Sequence, residues 1–123
     1  MSEFELGKSY TRRQIHNLVS GSVQPFLPDK GGRVVCACLT PKLNSDVPNV
    51  ILVGAGGDIY RRGRMLVDQS GAIPVFLKNG SDDWHYAGEF EVERASEVAA
   101  DIALWQAHAG RADVRIVIHM RKA

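Results

Sequence analysis

The chain has 123 residues, of which 45% are hydrophobic and 24% charged, as in folded globular proteins and unlike disordered ones. This length predicts a single domain over residues 1–123. Fifteen basic and fourteen acidic side chains give a net charge of +1, which argues against a polybasic binder but permits a local basic patch. There is no apolar run long enough to span a membrane and no secretory signal, so we expect a cytoplasmic protein without a membrane partner.

The first half of the chain predicts a helix and two buried strands. Thr11 and Gln14 have the spacing of a capping box, and the apolar residues that follow form one face of a helix that ends at Gly21. A loop rich in proline and glycine comes next. Residues 34–39 and 50–53 are continuously apolar, which is typical of strands covered on both faces.

Residues 54–57 form a glycine-rich turn that leads into a second helix. Asp58 is predicted to cap this helix, which runs to about residue 69 with three apolar side chains facing inward, Ile59, Met65 and Leu66. The next strand is predicted over residues 73–77, where Pro74 indicates an edge or a first position.

The second half contains the clearest period in the chain. Apolar and polar residues alternate over 84–92, which predicts a strand with an acidic outer face, preceded by a hairpin turn. A third helix follows and ends at Gly110, and residues 114–120 alternate again as a last strand. About five strands and three helices, mostly antiparallel, predict an α+β fold with a strongly bent mixed sheet or β-barrel.

The glycine turn and the arginines beside it are the main candidates for chemistry. Gly54, Gly56 and Gly57 lie between a strand and a helix start, where unpaired N–H groups bind phosphate, although a plain tight turn explains them equally. Three arginines follow in the same helix, and two more begin the first helix after Tyr10. These five residues are Arg61, Arg62, Arg64, Arg12 and Arg13. They form either solvated helix faces or a patch that binds a polyanion.

The sequence contains few of the patterns that are typical of metal or catalytic sites. Cys36 and Cys38 indicate two reduced, partly buried thiols, since no second pair completes a zinc site, and we expect no metal and no cofactor. No nucleophile elbow or metal-nuclease pattern is present, so the chain is not expected to be an enzyme. Trp84 and Tyr86 are either core residues or a platform for base stacking.

Several segments, taken in order, resemble SRA (SET and RING associated) domains, including the SRA-like domains found beside HNH nucleases in modification-dependent restriction systems. Residues 54–59 (GAGGDI) are similar to the glycine-rich strand-to-helix motif of that family. Four further segments, each weak alone, match in the same order over about 110 residues: 12–24 (RRQIHNLVSGSVQ), 66–77 (LVDQSGAIPVFL), 84–92 (WHYAGEFEV) and 114–122 (VRIVIHMRK).

The resemblance implies a PUA-like barrel that reads a modified cytosine, such as 5-methylcytosine, by flipping it out of double-stranded DNA. Asp46 lies in the loop where the family places its base-reading aspartate. The strand before the glycine turn carries no aromatic residue, so the rings that stack on the base are expected from Phe26, Tyr60, Trp84 or Tyr10.

The phosphate contacts would come from the five arginines and the three glycines named above. Such a reader would serve a restriction or defence system, with an HNH or other nuclease as partner, because 123 residues leave no room for a nuclease. Two alternatives stay open at this stage: a PUA-like domain that binds RNA or a modified nucleotide, and an interaction module that does not bind nucleic acid.

Overall fold

This computed structural model describes residues 4–22 and 24–123, which contain three helices, a curled main sheet and a separate two-stranded sheet. The helices are α1 (Arg12–Val19), α2 (Gly57–Asp68) and α3 (Ala99–Ala109). The strands are β1 (Ser9–Tyr10), β2 (Asp29–Lys30), β3 (Arg33–Val34), β4 (Ala37–Leu39), β5 (Val50–Val53), β6 (Ile73–Gly80), β7 (Asp83–Ser96) and β8 (Ile116–Lys122). The predicted α+β fold with a bent sheet is confirmed.

The long strand β7 organises the main sheet, whose order is β4-β6-β7-β8-β5. Its first half pairs with β6 and its second half with β8, while β1 pairs with its beginning. Only β4 and β6 run parallel in the pairings of the described strands. The register shifts between Val75 and Phe76 and between Val92 and Arg94, and such bulges bend a sheet. The sheet therefore curls into a half-barrel.

The core is divided into three clusters by the elements that cover the sheet. The largest lies under α2 and includes Leu66, Val53 and Ile116. An aromatic cluster that includes Phe76 fills the space under α1 and β1. In the third cluster, Trp105 of α3 packs against residues of β5 and β8. The sheet is thus covered by helices at three places.

The predicted helices are confirmed, with differences at their ends. Thr11 and Gln14 make both bonds of the capping box of α1, and Ser20, rather than Gly21, adopts the left-handed conformation that ends this helix. The N-cap of α2 is Gly56 instead of Asp58, because the Asp58 carboxylate lies inside the first turn and binds two arginines of the same helix. The predicted inner side of α2 is wrong at Ile59, which is 41% exposed.

The apolar run 34–39, predicted as one strand, is broken into β3 and β4. Val34 belongs to the small β2–β3 hairpin, where the side chain of Gln69 both donates to and accepts from its backbone. The backbone N–H of Val35 donates to Pro28, and that of Cys38 donates to Phe26, so the chain follows the preceding loop before it joins the sheet. Val23, which belongs to the segment 12–24 of the resemblance, lies outside the described residues.

Gly63 allows α2 to approach the sheet closely, which gives a test of the packing. A Cβ at this position would lie 2.7 Å from Val53 Cγ1 and 3.2 Å from Ile116 Cδ1. We expect Gly63→Ala to lower the free energy of unfolding by about 1–3 kcal/mol, as overpacking does, measured by urea denaturation. Gly57→Ala in the same helix is the matched control, because its Cβ would meet nothing within 4 Å. Equal stability of the two variants would contradict this packing.

Candidate functional site

A cavity of about 210 Å³, here called the loop cavity, lies beside the glycine turn. For scale, a cavity of about 150 Å³ in a protein core holds a benzene ring, so this space accommodates one flat ring. The loop of residues 40–49 forms one wall, and Ile59 of α2 contributes to the other. The apolar lining residues are Phe26, Cys38, Leu39, Leu43, Val47, Leu52 and Ile59, and the others are Thr40, Asn44, Gly54, Arg111 and Asp113.

The charged groups of the loop cavity form one well-ordered ion pair. Arg111 Nε donates to Asp113 Oδ1 over 3.0 Å, and its Nη2 donates to Asp113 Oδ2 over 2.9 Å. Arg111 Nη1 also donates to the carbonyl oxygen of Leu43 in the cavity wall. The hydrogen bonds from Arg111 lower the pKa of the Asp113 carboxyl below its usual value. The cavity therefore presents an ionised carboxylate next to a guanidinium.

The glycine turn shapes both the cavity and the start of α2. A Cβ on Gly54 would lie 2.5 Å from Asp113 Oδ2, so a larger residue here would displace the Asp113 carboxylate. Gly56 has a φ of +117°, which disfavours other residues. No described side chain caps the first turn of α2, and N–H groups at such a helix start bind anions. This arrangement suits an oxyanion at the turn.

Asp46 lies in the cavity loop, but its carboxylate points elsewhere. Its Oδ2 lies 2.8 Å from His108 Nε2 of α3, and Asp46 does not line the loop cavity. Its backbone N–H donates to buried Asn44, whose Nδ2 in turn donates to the Val50 carbonyl. Asp46 therefore holds the loop against α3, and the structure does not place it where a base-reading acid was expected.

Of the four aromatic residues expected around a base, only Phe26 lines the loop cavity. Tyr60 donates a hydrogen bond to Glu97. Trp84 is 7% exposed, with the guanidinium carbon of Arg12 5.2 Å from the centre of its ring. Tyr10 packs edge-on against the aromatic cluster under α1. Tyr60, Trp84 and Tyr10 are thus used elsewhere in the fold.

Arg62 is a structural residue, which corrects its expected role at a phosphate. Its side chain is 10% exposed and donates to Asp29 over 2.5 Å, to Asp58 over 2.8 Å and to the Leu27 carbonyl over 3.1 Å. The hydrogen bond from Arg62 lowers the pKa of Asp29. These bonds tie α2 to the loop that carries Phe26.

The other arginines that were expected to contact phosphates differ in their exposure and in their partners. Arg61 and Arg64 are half-exposed and pair with acidic side chains at the surface, Asp58 for the first and Asp68 and Glu97 for the second. Arg12 donates to the Pro25 carbonyl and lies over Trp84. Arg13 is exposed. The structure thus brings Arg61 and the glycine turn together in the first turns of α2, while Arg12 and Arg13 start a different helix.

The sequence reasoning missed Arg111 and Asp113. Their spacing, Arg-x-Asp directly after the glycine that ends α3, was the only local signal. In such a short segment the two side chains reach each other without help from distant parts of the chain. A charged pair between a helix end and a buried strand was therefore the feature to notice.

The described residues contain no group of three or more His, Cys, Asp or Glu side chains that is placed to hold a metal ion. Cys36 and Cys38 are buried free thiols. Within residues 4–22 and 24–123, no helix combines the length and the apolar character needed to cross a membrane.

Comparisons with known proteins identify both a family and a fold. The family model described as "Domain of unknown function (DUF6697)" matches residues 9–112. No curated protein matches the chain. Two similar solved structures are the SUVH5 SRA domain in a hemi-methylated CG DNA complex (TM-score 0.62, 13% identity, 100% of this chain and 91% of that one) and in a methylated CHH DNA complex (TM-score 0.56, 16% identity, 99% and 86%). This likeness confirms the SRA-like fold that the sequence predicted.

The buried position of Arg62 leads to a stability test. Arg62→Met keeps an apolar stem but leaves Asp29 without its cation, and we expect a loss of about 3 kcal/mol in urea denaturation at pH 7. Because the folded state lowers the pKa of Asp29, this stabilisation is present above the unfolded value of about 3.9 and is lost as the pH falls through the lower folded value. As the pH falls below about 4, the free energy of unfolding of the variant should therefore decrease less than that of the wild type.

Arg61→Met is the control for this test, because its pair with Asp58 is exposed and such pairs contribute little. An Arg62→Met variant that is as stable as Arg61→Met, with an unchanged pH profile, would show that the buried pairs are not structural.

Proposed function

The chain belongs to the DUF6697 family, and we propose that it is a non-catalytic DNA-binding protein that reads a modified cytosine in double-stranded DNA. The observation that carries the proposal is a cavity of the size of one ring beside the glycine turn of an SRA fold. Both similar SRA structures are complexes with methylated DNA, which supports the choice of ligand.

A base reaches the loop cavity only after it leaves the double helix. Flipping a base costs a few kcal/mol of stacking and pairing energy, which contacts inside the pocket must offset. The lining supplies a mostly apolar surface, the aromatic ring of Phe26 and a few polar groups, a composition typical of small-ligand sites. The cavity therefore offers a flipped base both stacking and hydrogen bonds.

The phosphate contacts are proposed for the accessible basic groups near the start of α2. Arg61 and Arg64 now pair with surface carboxylates, and such pairs are worth only about 0–1 kcal/mol, so a DNA phosphate can replace the acid. The N–H groups at Gly56 and Gly57 add an uncapped helix start. Arg13 is proposed as a more distant contact. Arg62 and Arg12 are left out because each already bonds within the fold, Arg62 to Asp29, Asp58 and the Leu27 carbonyl and Arg12 to the Pro25 carbonyl.

The biological setting stays a prediction from the sequence. A restriction or defence role and an HNH or other nuclease partner are expected from the resemblance alone, whereas a cytoplasmic location and a single domain over residues 1–123 are expected from the composition and length. No observation in the described residues favours RNA binding, and the experiments below distinguish it from DNA binding.

The base pocket is tested with duplexes that differ at one cytosine. We expect the wild type to bind a 5-methylcytosine or 5-hydroxymethylcytosine duplex more tightly than the unmodified one in fluorescence anisotropy. Phe26→Ala should lower affinity for the modified duplex about tenfold, because stacking on an aromatic ring is worth about 1–3 kcal/mol, and should leave binding of the unmodified duplex nearly unchanged. Equal binding of all duplexes, or tighter binding of single-stranded RNA, would contradict the proposal.

The phosphate surface is tested by salt dependence. Arg61→Ala and Arg64→Ala should weaken binding of modified and unmodified duplexes alike and reduce the slope of log K against log salt by about one each. Arg121→Ala is the matched control, because Arg121 is exposed, pairs with Glu91 on β7 and does not line the loop cavity. An identical slope in all three variants would show that α2 does not face DNA.

A further inference from the structure

We propose that Asp113, held in place by Arg111, reads the base in the loop cavity, and that the pair selects a ring with an amino group next to a ring-nitrogen acceptor, as in cytosine. This inference rests on the proposed function of the cavity. It assigns the base-reading role to a segment between α3 and β8 that the sequence resemblance did not point to.

The geometry of the pair fixes the carboxylate in one orientation. Two parallel hydrogen bonds of 3.0 and 2.9 Å join Arg111 to Asp113, and forked pairs of this kind are stronger and more directional than single bonds. The third bond, from Arg111 to the Leu43 carbonyl, fastens the pair to the cavity wall. A guanidinium has five N–H donors, so two remain for a ligand.

The chemistry of the pair is complementary to cytosine. An ionised carboxylate only accepts hydrogen bonds, and the guanidinium only donates them. The lowered pKa of Asp113 keeps the carboxylate ionised at neutral pH. Cytosine offers an exocyclic N4 amine to the carboxylate, and its N3 accepts from Arg111. Thymine, which has the same size and a 5-methyl group, places the O4 acceptor where cytosine has its amine.

Gly54 gains a specific role in this arrangement. A Cβ at Gly54 would lie 2.5 Å from Asp113 Oδ2 and 3.1 Å from Arg111 Nη2. Any other residue directly after β5 would therefore push the ion pair away from its position at the cavity, independently of any phosphate at the turn.

Asp46 provides a matched comparison for Asp113. Both are half-exposed aspartates close to the cavity, and each pairs with a basic residue at or just after the C-terminal end of α3. Only Asp113 lines the cavity. The same Asp→Asn change at the two positions thus separates reading the base from a general loss of negative charge.

The experiment uses the full chain and three duplexes that are identical except at one position, which holds 5-methylcytosine, thymine or cytosine opposite guanine. Anisotropy titrations are expected to show about tenfold or greater preference of the wild type for 5-methylcytosine over thymine, the range that a good two-bond base contact gives. Asp113→Asn should reduce this ratio to about one, because an amide both donates and accepts. Asp46→Asn should keep the wild-type ratio.

Gly54→Ala is the second variant and should reduce the same ratio without removing any charge. If either variant fails to fold, as judged by circular dichroism, the wild type is titrated with 5-methyl-2′-deoxycytidine and with thymidine, and the Arg111 Nε–H resonance is followed by NMR. A shift with the cytidine alone supports the inference.

Two failures are distinguishable. An Asp113→Asn variant that keeps the full preference, or an Arg111 resonance that neither nucleoside moves, overturns the role of the pair and leaves the proposed function standing. A wild type that binds all three duplexes equally contradicts the proposed function and the inference together.

Discussion

The close packing of α2 against the sheet at Gly63 is the constraint on which the position of the cavity depends. A Cβ on this residue would lie 2.7 Å from Val53 Cγ1, so the helix or the strand would have to shift. Because α2 lies so near the sheet, its first turn brings Ile59 into the cavity wall. Arg62, the neighbour of Gly63, donates hydrogen bonds to the Leu27 carbonyl and to the Asp29 carboxylate.

Those bonds explain why the cavity has two fixed walls. The loop that carries Phe26 is tied to α2 by Arg62 and to β4 by the bond from the Cys38 N–H to the Phe26 carbonyl. The opposite wall, the 40–49 loop, is held through Arg111. A pocket whose walls are ordered before the ligand arrives avoids much of the entropic cost of binding. A ligand of the loop cavity would therefore meet walls that hydrogen bonds already hold in place.

The features that the sequence predicted correctly depend on neighbours in the chain, and several of those that it missed depend on distant residues. The capping box of α1, the glycine end of α3 and the apolar run of β5 were read correctly because each signal lies within a few residues. The break in the run 34–39 depends on Gln69, 35 residues away, and the burial of Arg62 depends on Asp29, 33 residues away. Arg62, unlike Arg61, shares the predicted inner face of α2 with Ile59 and Leu66, but its partner Asp29 is set by the fold.

The ion pairs of the arginines near the glycine turn affect how the protein attracts DNA phosphates. Arg61 and Arg64 near the glycine turn each have a carboxylate within about 3 Å, so the field that they project over longer distances is weak. In the proposed complex, attraction to DNA must then arise mainly at short range, when phosphates replace those carboxylates. Sequence-independent affinity comes from positive charge that neutralises phosphates, and the net charge of this chain is only +1. The contacts inside the cavity therefore account for a larger share of its binding free energy than in a polybasic protein, which favours selectivity over affinity.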